Sequence, residues 1–286
     1  MKEMKITGNS LIAWLISSNV ITMFLIFLVK LVTRKEEIGS FYPLIMIIGT
    51  ITGFIFFRLF MKKEVKIEIK KCKINFKYLL IYTIILIGVG CFGDLIVKLL
   101  NEYFKLFGFY FTGELLERAF TANNFIEHIL VSISICIVAP ILEELIFRGY
   151  LLKLFQKYGV WVSILASATL FGIMHAEFTQ IIPAILAGLV LGYAYYKTDD
   201  IRVPIIMHLI NNVIAYTTGN INQTYLNIMF VILAIITYII FKKDNLFKIN
   251  KIKKEEYSKK YLLSSVSLNI FVIFCVVIML LSLSAY

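Results

Sequence analysis

Pro140-Ile141-Leu142-Glu143-Glu144-Leu145-Ile146-Phe147-Arg148-Gly149-Tyr150 sets two adjacent carboxylates and an arginine into an otherwise apolar run. An ionisable group in a hydrocarbon-like segment is costly to keep and marks a functional position by default. Glu144 and Arg148 are four apart, share a helix face and can pair. Glu143 lies about 100° further round the helix and has no such partner in its own turn. One carboxylate is expected to be structural and the other free to work.

The chain around this stretch has 286 residues, 60% of them hydrophobic and 16% charged, with a mean hydropathy of +0.86. Soluble domains are about 45–50% apolar. The composition excludes an ordinary soluble domain and predicts a polytopic membrane protein. A net charge of +11 in a soluble protein would suggest nucleic acid. Here the lysines crowd between apolar runs, the pattern that orients helices in a bilayer, so no nucleic-acid partner is expected. Cys72, Cys91, Cys136 and Cys275 form no CxxC pair, which points to neither a disulfide framework nor a cysteine zinc site. Abundant Ile, Lys, Phe and Asn suggest an AT-rich bacterial genome and hence a bacterial plasma membrane.

Apolar runs of roughly 17–25 residues can span the bilayer as helices, and about nine are visible. They cover 10–32, 41–61, 78–100, 125 to about 153–157, 161–178, 180–196, 201–218, 225–241 and 261–286. The first lacks a small-residue cleavage site and is expected to stay as a membrane anchor. Two lysine-dense loops, 62–73 and 242–260, are expected to be cytoplasmic. An odd count then places the N-terminus inside and the C-terminus outside. The segment 101–124 combines Tyr103, Phe104, Phe107, Phe109, Tyr110 and Phe111 with Glu114, Glu117 and Arg118, which suits the outer interface. No internal repeat or soluble domain is visible. The expected fold is an all-α transmembrane bundle, with N-terminal spans in 1–124, a catalytic core in 125–220 and C-terminal spans in 221–286.

Three polar sets fall inside spans: Glu143/Glu144/Arg148, Phe171-Gly-Ile-Met-His175 and His208-Leu-Ile-Asn-Asn212. His208 and Asn212 share a helix face. At 1.5 Å of rise per residue, Glu143 lies about 15 Å above Lys153, His175 about 21 Å above Trp161, His208 about 9 Å and Asn212 about 15 Å above Arg202. All four can meet in one layer. Glu143 in a dry pocket can take a proton from water that His175 helps to hold. His208 and Asn212 can donate to an oxyanion forming on a carbonyl. That is hydrolysis of an amide by activated water. Glu143, His175 and His208 equally fit the two-His, one-carboxylate set of a catalytic zinc with an open position.

Glu143-Glu144-x-x-x-Arg148, Phe171-x-x-x-His175 and His208-x-x-x-Asn212, in this order, resemble the three motifs of the CPBP family. That family groups CAAX prenyl proteases with bacteriocin-processing enzymes and is also called the abortive-infection family. The resemblance covers residues 125–218. It implies a helical membrane peptidase whose site opens toward the cytoplasm, with Glu143 as the water-activating base and His175 beside it. His208 and Asn212 would stabilise the oxyanion, and Glu144 and Arg148 would complete the site. The family is commonly described as metalloproteases, and a metal-free glutamate mechanism is also argued for its eukaryotic prenyl-protein members. The implied substrate is a leader peptide or a membrane-anchored peptide. Two other classes fit the composition: a non-catalytic immunity or scaffold protein, and a proton-coupled transporter. Transporters usually carry internal repeats, and none is seen. Asp94 and Lys98, also four apart, are expected to be a snorkelling pair.

Overall fold

The computed structural model describes residues 2–34, 41–61, 67, 74–111, 122, 124–218, 223–247, 265–281 and 283–285. Most of the two lysine loops, together with Glu114, Glu117 and Arg118, lies outside the described residues. Nine long helices run through the rest: α1 Lys2–Thr33, α2 Phe41–Met61 and α3 Phe76–Lys105, α4 Phe125–Tyr158, α5 Val160–Met174, α6 Phe178–Thr198, α7 Arg202–Thr218, α8 Gln223–Phe241 and α9 Val266–Leu281. Each expected span corresponds to one of them. Six (α1 to α4, α6 and α8) are long and apolar enough to cross a membrane, while α5 and α9 are shorter apolar helices.

Their outward faces carry large apolar side chains. Met23 on α1 is 70% exposed and Ile240 on α8 is 64% exposed. A soluble monomer rarely shows apolar surface on this scale. The chain is an all-α, multi-pass membrane protein whose outer surface faces lipid.

The regular structure outside helices, among the described residues, is one short antiparallel pair: β1 Phe109–Phe111 against β2 Leu283–Ala285, with Tyr110 opposite Ser284. Asn101 holds β1 in place, its side chain accepting from the Phe111 N–H at 2.8 Å and donating to the Phe111 carbonyl at 3.1 Å. The Phe111 ring stacks on Phe178 with centroids 3.7 Å apart, so β1 closes over the start of α6. Three-residue strands carry no periodic signal, and the sequence holds no hint of this pair.

The interior is built where α4 and α5 meet α1, α2 and α9. Phe147, Tyr150 and Phe171 pack in one cluster with Leu11, Phe57 and Phe271. A second cluster, with Tyr82, Leu86, Leu191 and Met207, joins α3, α6 and α7. Tyr82 on α3 and Tyr193 on α6 both donate to the Leu246 carbonyl, at 3.0 and 2.9 Å, which clamps the turn after α8. Glycine allows the closest approach of α5 to α6. A Cβ on Gly172 would lie 2.8 Å from the Ile181 carbonyl oxygen.

Candidate active site

Helix α4 is not uniform. It widens into π turns at Ser134–Val138 and Leu145–Leu152, on either side of the α-helical Ala139–Glu144. Such turns shift the phase of the helix and leave carbonyls without their usual donors. The Ala139 N–H bonds to Ser134, one residue further back than in an α-helix. In that register the next donor belongs to Pro140, which has no N–H. The Ile135 carbonyl is therefore left over, and the Asn212 side chain on α7 supplies its hydrogen bond, Nδ2 to oxygen at 3.0 Å. The Phe147 carbonyl is likewise met by the Ser167 hydroxyl of α5 at 2.7 Å. Two side chains on neighbouring helices thus lock the shape of α4.

Between the π turns stand the two carboxylates. Glu144 and Arg148 are fully buried and joined by Nη1 to Oε1 at 2.8 Å. The other arm of the guanidinium, Nη2, donates to the Gly188 carbonyl of α6 at 3.1 Å. The guanidinium carbon sits 4.6 Å from the centre of the Phe171 ring. An ion pair this deep needs such extra partners, because desolvation otherwise outweighs the attraction. The close approach to Gly188 depends on a bare Cα, since a Cβ there would come 3.3 Å from Nη2. Glu144 makes the ion pair expected from spacing, although its Oε2 and the Arg148 Nε have no hydrogen-bond partner among the described residues.

His208 joins the two glutamates. Its Nδ1 lies 2.9 Å from Glu144 Oε1, and its Nε2 lies 3.8 Å from Glu143 Oε2. Glu144 is acceptor-only as a carboxylate, so Nδ1 donates to it and Nε2 is turned toward Glu143. The Glu143 side chain keeps 15% of its surface exposed against none for Glu144, so it is the carboxylate a water molecule can reach.

Phe171 does more than pack. Its ring meets the edge of His175 at 5.2 Å and of His208 at 5.7 Å while its face holds Arg148. His175 follows the last residue of α5, its backbone N–H bonded to the Gly172 carbonyl at 3.2 Å. Ala176 then adopts a left-handed φ of +52°. For a residue with a Cβ this backbone costs about 1 kcal/mol or more. It ends α5 at Met174, short of the expected 178, and leaves His175 on a turn. His175 is within electrostatic range of both Glu143 and His208.

The structure therefore brings Glu143, Glu144, Arg148, His175 and His208 together around the Phe171 ring. Asn212 sits one turn further along α7, committed to Ile135. Sequence reading missed the supports: Ile135, Ser167, the Gly188 carbonyl and the cation-holding face of Phe171. Pro140 was the available signal, because a proline inside a helix orphans a carbonyl one turn earlier and obliges a donor from elsewhere. Among the described residues no group of three or more His, Cys, Asp and Glu side chains is arranged to hold a metal ion.

Comparison with known proteins converges on this same segment. Residues 125–214 match the family model described as Type II CAAX prenyl endopeptidase Rce1-like. Over 77 residues, 27% of this chain, the sequence is 38% identical to the Bacillus subtilis (strain 168) protein named "Putative membrane peptidase YdiL", covering 32% of it. Over 100 residues, 33% of this chain, it is 25% identical to an "Uncharacterized 24.3 kDa protein" of Escherichia coli, covering 46% of it. The matched stretch spans less than half of either relative. No solved structure matches.

Proposed function

We propose, from the premise that residues 125–214 form a CAAX prenyl endopeptidase Rce1-like domain consistent with the CPBP family, that this chain is an intramembrane endopeptidase hydrolysing a peptide bond by glutamate-activated water. The observation that carries the reading is the placement of His208 between the two glutamates, Nδ1 on Glu144 and Nε2 toward Glu143. A structural ion pair alone needs only Glu144 and Arg148. It gives no reason for a second carboxylate and a second imidazole at the same spot.

In the proposed reaction Glu143 takes a proton from a water molecule held between it and His175. The resulting hydroxide attacks the carbonyl carbon of the scissile amide. Negative charge gathers on the carbonyl oxygen and is met by a proton on His208 Nε2, whose imidazolium Glu144 holds in orientation. Asn212 has two amide N–H groups, one of them given to Ile135; the other is the second donor to the oxyanion. Donors fixed in advance in a water-poor site are usually the largest single contribution to catalysis of this kind. The tetrahedral intermediate collapses as the C–N bond breaks, and Glu143 passes its proton to the departing amine. Arg148 offsets the charge of the carboxylates throughout.

The substrate class is a membrane-associated peptide or a leader peptide, and the location a bacterial plasma membrane with the N-terminus and the lysine loops in the cytoplasm. Purified protein, incubated with a membrane peptide fraction in heavy-oxygen water, tests the reaction directly. Wild type is expected to place one heavy oxygen in each new C-terminal carboxylate, and Glu143→Gln to place none. Equal labelling by the two proteins would refute the assignment of Glu143.

A further inference from the structure

Helices α3 and α8 frame an open cavity of about 230 Å³ that the proposed active site does not use. It is lined by Asp94, Leu95 and Lys98 of α3 and by Gln223, Thr224 and Asn227 of α8. The expected pairing of Asp94 with Lys98 is absent. Lys98 instead donates to the Thr224 hydroxyl at 2.6 Å. Among the described residues the Asp94 carboxylate accepts no hydrogen bond and makes no ion pair. Asn227, only 7% exposed, also has no hydrogen-bond partner there. Asp94 is exposed on the outer face of α3 and Asn227 is buried beside it; a bilayer-facing carboxylate and a buried amide without partners are costly, which points to a ligand that supplies what they lack.

The chemistry of the lining selects that ligand. One carboxylate and one ammonium make the cavity neutral in sum but strongly dipolar. Asp94 and the Asn227 amide oxygen are acceptors, suited to an ammonium that still carries N–H groups. Lys98 and the Thr224 hydroxyl suit a phosphate. The occupant is therefore a zwitterion with a primary amine and a phosphate. It enters from the bilayer, because the residues flanking the cavity face outward as apolar surface: Phe92 is 50% and Leu99 71% exposed on α3, and Tyr225 76% on α8. No aromatic side chain lines the cavity, so it lacks the cage that holds a quaternary amine.

We propose that this cavity binds the phosphoethanolamine headgroup of a bilayer lipid, with the amine on Asp94 and Asn227 and the phosphate on Lys98 and Thr224. The site stands apart from the peptidase reading and does not depend on it.

The test is native mass spectrometry of the detergent-solubilised full chain in equimolar phosphatidylethanolamine, phosphatidylcholine and phosphatidylglycerol. Wild type is expected to retain the ethanolamine lipid in preference to both others. Asp94→Asn is expected to reduce that retention about tenfold, the effect of losing one charge-assisted hydrogen bond. Equal retention of ethanolamine and choline lipids, preference for the glycerol lipid, or undiminished retention by Asp94→Asn overturns the proposal. Asn227→Ala serves as the second variant should Asp94→Asn not fold. The three-lipid preference of the wild type decides the matter on its own if neither variant does.

Discussion

His208 Nδ1 lies 2.9 Å from Glu144 Oε1, the same oxygen that takes the Arg148 hydrogen bond at 2.8 Å. One buried oxygen thus fixes both the guanidinium and the imidazole, and the imidazole in turn faces Glu143. Helices α4 and α7 are coupled through this atom.

Removing Glu144 should therefore damage stability before chemistry is considered. Glu144→Ala leaves Arg148 buried and uncompensated, a loss of about 3–5 kcal/mol. Arg148→Met added to it should recover much of that loss, since no buried charge remains. Thermal unfolding in detergent reads the recovery, and neither protein should cleave peptide. A double variant as unstable as the single one would show that the pair is not what holds this region.

Asn212 serves the backbone of α4 as well as the proposed oxyanion. Asn212→Ala should cost about 1–3 kcal/mol, because the Ile135 carbonyl loses its side-chain donor. Asn212→Asp should do no better, since a carboxylate cannot donate to a carbonyl. The two melting curves should fall together below that of the wild type, and an aspartate variant as stable as the wild type would contradict this role.

Much of this was legible from spacing. The i,i+4 relation of Glu144 and Arg148 and the apolar run 41–61 correspond closely to what the helices show. Two kinds of feature were not. The end of α5 is set by Ala176 in a left-handed turn, and nothing in Met174-His175-Ala176-Glu177 resembles a glycine or proline stop. The hydrogen bonds to Ile135 and Gly188 join residues 77 and 40 positions apart, a separation that no local periodicity encodes.

Phe171 is predicted to be more than apolar filling. Phe171→Leu keeps most of the volume but removes the π face beneath Arg148, worth about 0.5–2 kcal/mol, and the edge contacts that orient His175 and His208. Cleavage should fall more steeply than the melting temperature. A variant with unchanged turnover would reduce the ring to a packing group.

Gly172→Ala should push α5 from α6, because the new methyl would sit 2.8 Å from a backbone oxygen that cannot step aside. His175 lies three residues on and moves with α5. Loss of both stability and activity is expected. Gly90→Ala on α3 should instead leave both near wild type, because the added methyl would meet nothing within 4 Å. Equal tolerance of the two substitutions would argue against close helix contact at Gly172.

Activation of water by Glu143 is what the proposed chemistry stands on. It is tested by comparing released and membrane-bound peptides from cells expressing wild type or Glu143→Gln at matched levels, with the purified protein then assayed with and without chelator. Specific fragments should be present with wild type and absent with Glu143→Gln, and their production should survive the chelator. The same fragments at the same abundance from both folded proteins would contradict this role of Glu143, and fragments lost on chelation alone would transfer the activation of water from the carboxylate to a metal.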